Sequence, residues 1–203
     1  MVENASTSRL ENGLSGTGAF IYDNIYWLVV LSLCWTIGSL FVVTIGPVTL
    51  GVYAAIRNLD SDRNRVEPRR VLGVVRRQFV PATVFGLLPP LFLGFSAGYF
   101  YSLAGGFTAL KLGLALVTLY VGLYLSLVMI PTFVALSTGQ HGEAALRTGV
   151  HWVAANPTVA MTMGIVTFGI LLVSLAFTVA FVLLFAGTAF SVHVRIVDEI
   201  AES

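Results

Sequence analysis

Charge is missing from most of this chain, and the places where it is missing constrain the fold. No charged side chain lies between Asp23 and Arg57, between Arg77 and Lys111, or between Lys111 and Glu143, where His141 alone can titrate. From Arg147 to Arg195 the only titratable groups are His151 and His193. An α-helix needs about 20 apolar residues to cross the roughly 30 Å hydrocarbon layer. Backbone groups in lipid must be paired within their own segment. The runs therefore predict an all-α, polytopic transmembrane helix bundle with spans near 24–46, 81–103, 109–136 and 158–182. The last run, Pro157 to Val194, is longer than one span requires. No Gly, Pro or Asn stands around Leu175–Val179 to tip a hairpin. Four crossings are expected, with the end of the chain along the interface, and a fifth crossing stays open.

Composition agrees. The chain is 57% hydrophobic and 10% charged, with a mean hydropathy of +0.89, whereas a soluble domain carries about 25% charged residues. A single membrane domain is expected over 21–203, behind a flexible polar tail at 1–20 with no apolar core of a cleavable signal. Gly13, Gly16 and Gly18 in that tail follow no strand and precede no phosphate-loop Lys. The net charge of +1 points to no nucleic acid, and the lone Cys34 can form no intrachain disulfide.

Arginine sets the expected orientation. Residues 57–77 carry Arg57, Arg63, Arg65, Arg69, Arg70, Arg76 and Arg77 against Asp60, Asp62 and Glu67, whereas Ser102–Thr108 has no charge. The positive-inside rule then puts loops 57–80 and 137–156 in the cytoplasm and the N-terminus outside. The two halves also share a plan. Glu67, Gly73-Val74 and Pro81 match Glu143, Gly149-Val150 and Pro157 at one offset of 76 residues. Pro47 and Pro131 close the preceding span in each half. A parallel two-fold repeat, of the kind transporters use around a midplane site, is one reading. The other is that prolines and small residues mark helix boundaries.

Residues 68–79 read as an amphipathic helix, with Val71, Leu72, Val75 and Phe79 opposite an arginine stripe. Arg69, Arg70, Arg76 and Arg77 are candidate ligands for lipid headgroup phosphates, and a docking surface for a cytoplasmic partner is the alternative. His141, His151 and His193 have no metal-ligand spacing and are expected at the interface. Gly94-x-x-x-Gly98 and Gly122-x-x-x-Ser126 would permit close helix contact. Tyr22, Tyr26, Trp27, Tyr99 and Tyr101 fit an aromatic belt, with Trp35 deeper. No catalytic motif and no cofactor site are found, and an enzyme is not expected.

Glu143-Ala144-Ala145-Leu146-Arg147-Thr148-Gly149 resembles the Glu-Ala-Ala-x-x-x-Gly core of the coupling loop in ABC importer permeases. The resemblance implies a short helix docking on a partner, with Glu143, Ala144, Ala145, Arg147 and Gly149 as candidate docking residues and ABC-type transport proteins as candidate partners. Pro157 stands closer to Gly149 than that family's proline does, and an ordinary amphipathic surface helix is the plainer reading. Asn24-Ile25-Tyr26-Trp27, then Thr44-Ile45-Gly46-Pro47-Val48-Thr49 and Tyr53, resemble the opening of the YesL-like family of prokaryotic integral membrane proteins, a domain of unknown function. The basic loop and Asn156-Pro157 are similar too, and the motifs are most specific over about residues 24–81. The resemblance implies a carbohydrate-uptake setting and offers no catalytic residues. The expected role is an accessory or component of solute uptake that contacts other transport proteins. A membrane scaffold or sensor without a transport path is the rival.

Overall fold

Prolines, glycines and the residues just before prolines cut this apolar chain into helices. The computed structural model describes residues 20–60, 67–176, 188–194 and 197. Among them it is helical throughout, with no strand. Behind a helical turn at 20–23 the long elements are α1 (Ile25–Gly38), α2 (Ile45–Leu59), α3 (Pro68–Arg77), α4 (Phe79–Leu103), α5 (Ala109–Ser137), α6 (Gly142–Ala155) and α7 (Pro157–Ala176), and residues 188–194 are again helical. The tail 1–19, Arg63 and Arg65, and the stretch from 177 to 187 lie outside the described residues.

Helices α4 and α5 form the longest hairpin. Their 25 and 29 residues reach about 38 and 43 Å, enough to cross a bilayer. Pro89 and Pro90 stand inside α4, a placement that apolar spans tolerate because neighbouring groups take up the freed carbonyls. The turn between them runs through Gly106 at φ 142°, a conformation that costs glycine little. Lys111, the chain's single lysine, donates to the carbonyls of Ser102 at 3.2 Å and Gly106 at 3.1 Å, closing the end of α4. Further in, Ser96 Oγ donates to the Ala115 carbonyl at 2.9 Å, and Gly122 lies against Leu93. Gly94 and Gly98 meet nothing within 4 Å. The expected small-residue contact is therefore made by Gly122 and not by Gly94 or Gly98.

The span expected at 24–46 is not one helix. It breaks after Gly38, passes a 3₁₀ turn at Val42–Thr44, and restarts as α2. The Thr44 hydroxyl sits on the carbonyls of Gly38 and Phe41, taking up groups left over by the end of α1. Trp35 Nε1 donates to Thr49 Oγ1 at 3.0 Å, and a methyl on Gly38 would press on Val48. Helices α1 and α2 thus lie back to back. Among the described residues three helices are long and apolar enough to span a membrane, Val42–Leu59, Phe79–Leu103 and Ala109–Ser137, and a fourth joins them if α6 and α7 count as one bent span. The bend between those two is 101°. Asn156 leaves the helical region just before Pro157, whose ring disfavours a helical residue in front of it.

The core sits at one end of the α4–α5 hairpin. Half of the Val42–Leu59 window is buried, against 11% for α4 and 22% for α5. The buried part of α5 is mostly Val128 to Ser137, where α2 and α6 pack on it. Gln78, between α3 and α4, donates to the Gln140 carbonyl at 2.8 Å and pins the two chain reversals together. Residues 189–194 are all buried, so this part of the last apolar run lies in the core and not along the interface as expected.

Candidate functional site

The interior of this end holds a polar chain. Tyr53 on α2 has its hydroxyl 2.6 Å from His193 Nδ1, and His193 Nε2 is 2.6 Å from Thr167 Oγ1 on α7. Thr167 in turn donates to the Met163 carbonyl at 2.7 Å. A threonine hydroxyl has one proton, and the carbonyl can only accept. Thr167 must therefore accept from His193, which places the ring proton on Nε2 and leaves Nδ1 to accept from Tyr53. For a neutral imidazole the direction follows from hydrogen-bond logic, with both ring nitrogens engaged. Aromatic rings enclose the chain: Tyr53 stacks on Phe190 at 4.7 Å and on Phe133 at 6.3 Å, and Trp35 meets Phe190 edge-on at 6.0 Å.

His193, expected at the interface, is 2% exposed. His141 and His151 are exposed. Nothing near His193 in the chain announced its partner, because Tyr53 is 140 residues away. The one available signal was an ionisable residue in an apolar run, which by default marks a functional position. With both hydroxyls and both ring nitrogens hydrogen-bonded, this chain acts as a fastener joining α2, α7 and residues 188–194.

The candidate docking residues divide between two faces of α6. Ala145 is fully buried. Gly149 is buried too, and a methyl there would strike the Thr132 hydroxyl and the Val128 carbonyl of α5. Glu143, Ala144 and Arg147 are exposed. Arg147 donates to Glu143 at 2.7 Å, with side chains 80% and 79% exposed. Gly149 was expected to allow the approach of a partner, yet here it allows α6 to seat on α5. Ala145 and Gly149 serve the chain's own packing, and Glu143, Ala144 and Arg147 face outward.

Helix α3 buries no residue, and Arg69, Arg70, Arg76 and Arg77 are all exposed. Its Val71 and Val75 approach Gly51 of α2. Gly73, the counterpart of Gly149 at the 76-residue offset, has only the tip of Arg77 near it, at 3.9 Å. A cavity of about 380 Å³ opens between α2, α3 and the end of α5, and Arg57, Asn58, Arg70, Ser137 and Thr138 supply its polar lining. Arg57, in the last turn of α2, complements the negative end of that helix.

These features define a helical protein with several helices long and apolar enough to cross a membrane, a core gathered at its arginine-rich end and a charged helix seated on that core. No family model, curated protein or solved structure matches the chain.

Proposed function

We propose that this protein works by contact rather than by chemistry, as a membrane-embedded accessory of solute uptake that presents α6 to another transport protein. The observation that carries the reading is the outward Glu143–Arg147 pair on a helix held rigidly against α5 by Gly149 and Ala145. A rigid helix presents its charges without an ordering cost on binding. The resemblance of residues 143–149 to the permease coupling loop suggests an ABC-type partner, and the YesL-like opening suggests a carbohydrate setting. Loops 57–80 and 137–156 would face the cytoplasm, since arginine collects there, and the α3 stripe would hold anionic headgroups beside the docking helix.

The scaffold or sensor reading draws on a separate observation. The Tyr53–His193–Thr167 chain, with Tyr53 and His193 buried and Thr167 half-buried, spends its polar groups on one another, so they are not offered to a passing solute. The halves echo each other in order, a short amphipathic helix running into a long apolar one at Gln78 and again at Asn156, which supports a parallel repeat. The unequal surroundings of Gly73 and Gly149 weaken it.

Co-purification from native membranes in mild detergent tests the proposal. Glu143→Lys should lose a partner that the unaltered protein retains, at equal membrane levels. Retention by the variant of every partner would remove the docking role from α6.

A further inference from the structure

Val42–Leu59 is long and apolar enough to cross a membrane, but the packing of residues 25–59 points elsewhere. Gly46 lies so close to α4 that a methyl would overlap the Ala82 carbonyl, and Gly86 of α4 meets the Gly46 backbone in return. These contacts fall about 5–10 Å along α4 from its start at Phe79, and from Gly86 to Leu103 the helix runs about 25 Å further. Near its other end, Arg57 and Asn58 of α2 line one cavity with Ser137 and Thr138, where α5 finishes, and mid-helix Tyr53 stacks on Phe133 one turn earlier. Both ends of α2 therefore stand at the same end of the α4–α5 hairpin, where Gln78 meets Gln140. Helix α2 crosses that end of the hairpin and does not run along it.

Helix α1 folds back on α2 through Trp35–Thr49 and Gly38–Val48. Its 14 residues measure about 21 Å, short of the roughly 30 Å layer. The turn joining them is uncharged and apolar: Leu40 and Phe41 are 75% and 73% exposed, Val42 and Val43 58% each. Water is a poor partner for four such side chains, and the turn packs beside α4, which exposes apolar Val80, Val84 and Leu91, so acyl chains are the fitting partner. Irregular backbone is not tolerated deep in hydrocarbon, but a turn near the headgroup layer keeps its amides within reach of water.

We infer that residues 25–59 form a re-entrant hairpin in the leaflet on the arginine-rich side, its Leu40–Val43 tip among that leaflet's acyl chains, so that the N-terminus and loop 57–77 share one side of the membrane. This departs from the expectation of an N-terminus outside. Its single Arg9 and its acidic residues do not oppose it, because Asp and Glu contribute little to orientation. The inference stands apart from the docking role of α6.

Single cysteines test it in the full-length protein with Cys34→Ala. Tyr22→Cys, Phe41→Cys, Gly105→Cys and Gln140→Cys are treated with a membrane-impermeant maleimide in intact cells and in inverted vesicles. Tyr22→Cys should label from the side that labels Gln140→Cys, Gly105→Cys from the other side, and Phe41→Cys from neither. Leu40→Cys repeats the tip measurement should Phe41→Cys express poorly. Labelling of Tyr22→Cys from the Gly105→Cys side, or of either tip cysteine from any side, overturns the inference.

Discussion

The Tyr53 hydroxyl lies 2.6 Å from His193 Nδ1, joining residues 140 apart in the chain. With the proton order set by Thr167, Tyr53 is the donor. Tyr53→Phe removes the donor and leaves Nδ1 buried without it, which costs about 1–3 kcal/mol. Thermal unfolding in detergent should show a lowered Tm. Pairing Tyr53→Phe with His193→Leu should cost less than the two single losses added together, since the interaction is counted once. Additive losses would mean that the two side chains are not coupled.

Gly149 and Gly73 occupy matching places in the 76-residue offset but unlike surroundings. Gly149→Ala overpacks α6 on Thr132 and should destabilise by about 1–3 kcal/mol. Gly73→Ala meets open space on a helix, so it should be neutral or stabilise by up to about 1 kcal/mol. Tm values for the two variants check both. Equal effects would favour a true structural repeat.

The arginine stripe of α3 predicts a lipid and salt dependence. Near an anionic surface each of Arg69, Arg70, Arg76 and Arg77 contributes about 1 kcal/mol. In anionic vesicles the protein's Tm should fall as salt rises, and changing all four to Gln should abolish that dependence. Neutral vesicles should show none for either protein. A salt effect that survives the four substitutions would assign it to other charges.

The charge-free runs located the long helices closely. The spans expected at 81–103 and 109–136 correspond to Phe79–Leu103 and Ala109–Ser137, and Pro157 opens α7 as expected. Apolarity reports which solvent surrounds a segment and not the path the segment takes. The break at 39–44 was therefore hidden: Leu40, Phe41, Val42 and Val43 are as apolar as the helices they join, and the capping Thr44 is an ordinary residue in such a run. The Tyr53–His193 contact was not legible because nothing in either neighbourhood encodes a partner so distant. Gly149 was legible as a close-approach position but not as to what approaches it. The same small residue serves an internal helix or an external one.

Reversing the outward pair of α6 tests the docking role most directly. Combining Glu143→Lys with Arg147→Glu keeps an ion pair at the same i, i+4 spacing, and an exposed pair of this kind contributes only about 0.3–0.5 kcal/mol in any case. Fold and membrane level should be unchanged while the charge pattern offered to a partner is inverted. Partner capture from native membranes, measured with solute uptake in the same cells, should be lost in this double variant at normal expression. Capture and uptake equal to those of the unaltered protein would contradict the docking account.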